Sequence, residues 1–240
     1  MMSTGSTPPS VAKFDAGRAG EYLVQSRIAL AGYDACHELS ACMLAAALGT
    51  GQAARMLAVG AGGGGQEIVS AASLEPGWTF VAVDPSPQMM DVTAGRLNEL
   101  GLIGRAELHI GYVEDLPADR AFDAATLIGV LHHLPGAEAK SAMLAAIAAR
   151  LKRGAPLIVA GNRFAYDAQP LLMAAWAERW RMQGASPAEV EAKRGKILQG
   201  ADPPASESEV AALLDRAGFG PPTSFFSSLF WGACLARYQG

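Results

Sequence analysis

Residues 56–67 read Met56-Leu57-Ala58-Val59-Gly60-Ala61-Gly62-Gly63-Gly64-Gly65-Gln66-Glu67, and the next apolar run, 79–83, ends at an isolated acid, Asp84. An apolar strand, a glycine turn, a helix and a carboxylate about 20 positions on form a βαβ unit able to hold an adenosine. The glycines admit a ligand close to the backbone, and the carboxylate accepts hydrogen bonds from ribose hydroxyls. Gly60, Gly62 and Gly65 satisfy G-x-G-x-x-G, a pattern compatible with NAD, FAD or S-adenosylmethionine. A plain flexible turn, with Asp84 merely capping the next helix ahead of Pro85 and Ser86, is the alternative.

Outward from this unit, strands and helices alternate. Arg55–Val59 is the first strand, and a helix covers about 64–72. After the second strand, a helix from Ser86 to Gly101 turns Met89, Met90, Val92 and Leu97 inward. Strands follow at 106–110, 122–128 and 156–160, with an alanine- and leucine-rich helix at 136–152 stopped by Arg153-Gly154. Continuous apolar strands in such an alternation imply a mostly parallel sheet covered on both faces. Helices are expected ahead of it at 17–29 and 33–48, the second with Tyr33, Leu39, Met43, Leu44 and Leu48 at helical spacing. Beyond residue 161 the spacing predicts a helix at 168–183 carrying Trp176 and Trp180. A second opens at the Ser186–Glu189 capping box with Pro187, and a third is capped by Ser206. Two closing strands, 222–230 and 232–238, are joined too closely to be anything but antiparallel. The whole reads as one α/β domain over residues 1–240, with 14–48 and 162–200 as a helical cover over the strand tips.

Half of the 240 residues are apolar and 18% are charged, enough for a large core without metals or disulfides. A net charge of −4 with no basic run argues against nucleic acid as a partner. Cys36, Cys42 and Cys234 have neither metal-ligand spacing nor an even disulfide count, which suits a reducing, cytoplasmic setting. Residues 1–12 are Ser/Thr/Pro-rich and are expected to form a disordered tail rather than a signal peptide. No apolar run reaches membrane-spanning length, and no His/Asp/Glu cluster suggests a required metal.

Further elements narrow the ligand. Gly111-Tyr112-Val113-Glu114-Asp115-Leu116-Pro117 follows the third strand, Asp123 opens the fourth, and Leu131-His132-His133-Leu134 and Leu151-Lys152-Arg153-Gly154 come after it. In this order they resemble class I S-adenosylmethionine-dependent methyltransferases, over about residues 55–161. Their usual pattern is V-L-E-x-G-x-G-x-G, a strand ending in Asp, G-D-A-x-x-L-P, F-D-x-V, L-H-H-L and L-K-P-G-G. The resemblance implies a Rossmann-like, seven-stranded sheet with an antiparallel C-terminal strand, and S-adenosylmethionine as cofactor. It implies that Gly60, Ala61 and Gly62 lie under the methionine and ribose, and that Asp84 binds the ribose. Pro85 and Met89 would flank the adenine, Tyr112 and Val113 cover it, and Ile128 line the pocket beside the sulfonium. Ala58 and Tyr112 depart from the pattern, which places an acid at each position; the acid at the first helps hold the cofactor ammonium.

Outside the core, Gln25-Ser26-Arg27-Ile28, Gly32-Tyr33, Glu189–Arg194 and the segment from Ala217 to Gly232 look like carboxy-S-adenosylmethionine synthase and its nearest methyltransferases. That likeness implies that Tyr33 contacts cofactor and that Arg194 reaches a partner subunit's cofactor in a homodimer. Lys193-Arg194 is otherwise an ordinary solvated face, and Ile128 stands where the synthase has asparagine, which favours transfer of an ordinary methyl group to a small-molecule acceptor. His132 is the candidate catalytic base, although the His132-His133 pair also recurs in this fold in a structural role. Candidate acceptor contacts are Phe14, Tyr22, Phe164, Tyr166, Leu172, Met173 and Trp176. The rival readings are the synthase itself, a NAD-dependent oxidoreductase, and a non-catalytic S-adenosylmethionine-binding protein.

Overall fold

The structure, a computed structural model, describes residues 16–240, with side chains from residue 23 onward. The expected tail, Phe14 and the Tyr22 side chain lie outside the described residues. Seven strands form one sheet: β1 (Arg55–Val59), β2 (Thr79–Asp84), β3 (Ala106–Ile110), β4 (Ala124–Ile128), β5 (Pro156–Asn162), β6 (Thr223–Ser228) and β7 (Trp231–Arg237). Their order is β3-β2-β1-β4-β5-β7-β6. The first five are parallel, and β7 runs antiparallel to both β5 and β6. An antiparallel β7 beside β5 separates this sheet from the dinucleotide-binding order, in which the corresponding strand continues the parallel set.

Strand β5 is buried along its whole length, and β1 along all but its first residue, as a parallel sheet covered on both faces requires. Helices α2 (Tyr33–Leu48), α3 (Gln66–Leu74) and α4 (Pro87–Glu99) accompany the first strands, and α5 (Gly136–Ala148) and α8 (Glu207–Arg216) pack together. The core lies in two layers, one around Leu57, Leu127, Leu144 and Leu157, the other around Met56, Ile68, Phe80 and Leu97. Helices α1 (Ala16–Ala29), α6 (Pro170–Met182) and α7 (Pro187–Gly200) make a separate apolar cluster with Trp176, Trp180 and Phe230.

Four expectations are corrected. The buried face of α2 is Cys36, His37, Ser40, Ala41, Leu44 and Ala45, whereas Leu39 is 43% exposed. Small residues let this helix lie close to α3, and of the larger apolar side chains Leu44 is fully buried there while Met43 and Leu48 are partly so. On α4 the inward position is Thr93 rather than Val92, because its hydroxyl donates to the Ala61 carbonyl (2.7 Å) and accepts from Gly64 N (2.9 Å). Strand β4 starts at Ala124, since Asp123 turns aside to accept from Arg55 N (2.9 Å) and Lys152 Nζ (2.6 Å). Helix α5 stops at Ala148, and the fully buried Leu151 leaves the helical path to bridge Phe122. Among the described residues no helix is long and apolar enough to cross a membrane, and no group of acids, histidines and cysteines could hold a metal.

Candidate functional site

The carboxyl ends of β1, β2 and β4 open onto two adjoining chambers that share Gly60, Gly62, Ile128, Gly129 and His133. The smaller, about 130 Å³, is walled by Asp84, Pro85, Met89, Tyr112 and Val113. The larger, about 320 Å³, lies between the glycine turn and the cover and is lined by Tyr33, His37, Glu67, His132, Asn162, Tyr166, Trp176, Lys196 and Trp231 among others.

Asp84 ends β2 and ties two turns together. One carboxylate oxygen accepts from Gly62 N at 3.0 Å and the other from Ser86 N at 2.9 Å. The N-cap of α4 is Ser86, which accepts from Met89 N, so Asp84 does not itself cap the helix. Burial raises the Asp84 carboxyl above its ordinary range, against the lowering effect of the Ser86 and Gly62 amides. The turn is as close as glycine allows. A Cβ on Gly62 would sit 2.5 Å from an Asp84 oxygen and 2.7 Å from the Met89 Cβ, and one on Gly60 would strike Val130. This backbone cradle with a carboxylate at its lip suits the sugar and chain of a nucleoside.

The cover is fixed by polar ties. Trp176 Nε1 donates to the Ala29 carbonyl (2.7 Å), and Arg179 donates to Ile28 and Arg27 carbonyls (2.8 Å each), so α6 caps the C-terminal end of α1. Lys193 Nζ donates to Gln25 Oε1 at 2.9 Å, joining α7 to α1. Lys140, 2% exposed, donates to the Leu134 carbonyl (2.8 Å) and to Asp202 (3.0 Å), while Asp202 N donates to the His132 carbonyl (2.8 Å). These bonds draw the chain after α7 down beside the histidine pair.

His132 is 4% exposed and stacks edge-on to Trp231 with ring centroids 5.4 Å apart. Burial holds its pKa well below 6.5, reinforced by His133 and Lys140, so the ring is neutral at pH 7. Burial pushes the Tyr166 phenol up to about 12; its oxygen accepts from Asn162 Nδ2 at 2.6 Å.

Tyr33, Gly60, Gly62, Asp84, Pro85, Met89, Tyr112, Val113, Ile128 and His132 thus all line one chamber or the other. Ala61 lies beneath the turn, 1% exposed, its amide and carbonyl bonded to Val83 and Thr93. Arg194 lies on α7 with its side chain 49% exposed, 3.9 Å from Glu191, and lines neither chamber. Tyr166 and Trp176 reach the larger chamber, while Phe164, Leu172 and Met173 pack into the apolar cluster of the cover. Sequence reading missed His37 and Glu67. Glu67 stands in the decisive glycine stretch, in the first turn of α3, and that position was the available signal; His37 offered none.

Residues 57–157, less than half of the chain, match the family described as Methyltransferase domain. Among curated proteins none matches the chain in sequence. Solved structures that resemble it include an O-methyltransferase from Nostoc punctiforme, itself a tentative assignment, at 14% identity and TM-score 0.68, covering 97% of this chain and 64% of that one. An O-methyltransferase family 2 protein from Planctomyces limnophilus, in complex with apigenin, shares 18% identity at TM-score 0.59 (85% and 61% covered). A SAM-dependent methyltransferase from Methanosarcina mazei shares 16% identity at TM-score 0.57 (78% and 92% covered). The chain spans somewhat under two thirds of the length of the first two. The family match and the sheet order agree: the fold is Rossmann-like, and over residues 57–157 the chain is similar to a methyltransferase domain.

Proposed function

We propose that the protein transfers the methyl group of S-adenosylmethionine to a small, partly apolar acceptor. The observation that carries this reading is the pair of chambers meeting across Gly60, Gly62 and Ile128, one suited to an adenosine and the other walled by the cover. The bound cofactor supplies a methyl group already activated on a sulfonium, so the protein needs chiefly to align the acceptor and exclude water. Asp84 takes the ribose hydroxyls on the lone pairs left after its two backbone bonds. Gly60 and Gly62 lie beneath the methionine and ribose, with Ala61 supporting them from below. Pro85 and Met89 face one side of the adenine, and Tyr112 and Val113 the other. Ile128 at the junction and Tyr33 in the larger chamber keep water from the reacting carbon.

The acceptor lies among Tyr166, Trp176, Asn162 and Trp231. His132, neutral at pH 7, is the group proposed to receive the acceptor's proton. Arg194, exposed on α7, fits a role only toward a second copy of the chain in a homodimer.

Calorimetry with S-adenosylmethionine and S-adenosylhomocysteine tests the reading. Both are expected to bind wild-type protein, and Asp84→Ala should weaken both at least tenfold. S-adenosylhomocysteine should also accumulate with a suitable acceptor from a panel of small hydroxylated and amine compounds. Absence of cofactor binding would overturn the proposal. Binding without turnover on any acceptor would leave a binding protein in its place.

A further inference from the structure

Glu67 is the one carboxylate among the described residues lining the larger chamber. Its side chain is only 10% exposed, and among the described residues no lysine or arginine is ion-paired with it. Arg96, the nearest guanidinium on α4, is bonded to the Gly64 carbonyl and to Gln66 Oε1. His37 stands 3.9 Å away, but its Nδ1 lies 2.8 Å from the Tyr33 carbonyl, an atom that can only accept. Nδ1 therefore carries the proton of the neutral ring, and the bare Nε2 faces Glu67 without a donor. Burial pushes the Glu67 carboxyl up to about 7 and the His37 imidazole down to about 4. The carboxylate accepts from its own backbone amide and feels Arg96 at a distance; a ligand with N–H donors and positive charge supplies the close counter-charge that a buried carboxylate favours.

The position of Glu67 identifies the ligand. Glu67 opens α3 directly after the glycine turn, on the opposite side of Gly60 and Gly62 from Asp84. A molecule with its ribose at Asp84 crosses those glycines and brings its other end to Glu67. Strand β1 supplies no acid there, since residue 58 is a fully buried alanine. We infer that Glu67 is the binding residue for the α-ammonium of S-adenosylmethionine, taking from the first turn of α3 a charge that β1 does not provide. The inference rests on the cofactor reading above.

Calorimetry separates the two. S-adenosylhomocysteine carries the ammonium, whereas 5′-methylthioadenosine has the same nucleoside and sulfur but no amino-acid arm. At pH 8, Glu67→Gln should bind S-adenosylhomocysteine about 10- to 100-fold more weakly than wild type and methylthioadenosine within twofold. Unchanged S-adenosylhomocysteine affinity, or equal loss of both ligands, overturns the inference while leaving the cofactor reading intact. Failure of the wild type to bind either ligand removes the cofactor reading itself. Should the variant not fold, the wild type carries the test: its preference for S-adenosylhomocysteine over methylthioadenosine should rise from pH 6 to pH 8. His37, Asp84, Arg96, His132, His133 and Lys196 surround the same space, and their effects on the shared nucleoside cancel in that ratio. A ratio constant with pH overturns the inference.

Discussion

Replacing Glu67 by glutamine should stabilise the ligand-free protein at pH 8, an uncommon result for a buried residue. The folded-state carboxyl titrates near 7 rather than 4.5, because burial outweighs its own backbone amide and Arg96. A raised folded pKa means that protonation favours the fold: that stability is fully present below about 4.5 and is lost as pH rises through 7. At about 1.4 kcal/mol per pH unit, the ionised carboxylate costs about 3 kcal/mol at pH 8. Glutamine imitates the protonated form at every pH and is expected to recover about 2–3 kcal/mol of this, roughly 5–10 °C in Tm for a chain of this size. The gap should close as the pH is lowered toward 4.5. His37 acts in the opposite sense: its pKa is depressed from 6.5 to about 4, so its contribution is present above 6.5 and lost as pH falls through 4. The two effects largely offset one another in the wild type between pH 7 and 4.5, whereas the variant should lose stability steeply on acidification. Urea denaturation at pH 8 and pH 5 measures both slopes. A variant no more stable than wild type at pH 8, or a gap independent of pH, would refute the reasoning. Saturating S-adenosylhomocysteine should narrow the gap at pH 8, by about 1.4 kcal/mol for each tenfold difference in affinity.

Gly62→Ala tests the closeness of the cradle. Its backbone is not in the left-handed region, so any effect comes from the Cβ meeting Asp84 and Met89; a loss of about 1–3 kcal/mol in stability and at least a tenfold loss of cofactor affinity are expected by denaturation and calorimetry. Lys140→Met leaves the Leu134 carbonyl and Asp202 without their buried donor. It should destabilise by about 1–3 kcal/mol and speed hydrogen exchange over residues 200–203, and unaltered exchange there would count against the proposed tie. The His132 ring resonances should show no titration with a midpoint near 6.5, because burial keeps the ring neutral well below that pH; a midpoint at 6.5 by NMR would show the chamber to be wetter than described.

The frame of the fold was legible because parallel strands buried on both faces read as unbroken apolar runs. Arg55–Val59 and Ala106–Ile110 are found with their expected bounds, and the glycine turn and Asp84 meet as the spacing implied. Reading failed where chemistry overrode apolarity. Small and polar residues, with Leu44 the one large apolar side chain among them, form the inner face of α2, and Thr93 faces inward for its hydroxyl. Leu151 leaves α5 because a core position near β4 claims it. Sequence does identify an acid at position 67; it does not show that the Arg96 guanidinium is already committed, to carbonyl oxygens 32 and 30 residues away in the chain.

The cover shows the same principle at longer range. The last carbonyls of α1 lack partners within the helix, as at any helix end, and they receive them from Trp176 and Arg179, 147 to 152 residues later. Periodicity marks Trp176 as apolar and buried; its indole N–H makes it also the clasp between α1 and α6. An exposed lysine–glutamine bond joins helix α7 to α1, and its far end is held through Asp202, whose carboxylate the Gly136 amide and then Lys140 keep below its usual range. Besides these polar points, Val190 and Ile197 pack α7 into the apolar cluster that it shares with α1 and α6, a cluster separate from the two layers of the main core. Because Lys196, Ile197, Gly200 and Ala201 of this segment wall the larger chamber, the contacts that seat α7 also set the shape of that chamber.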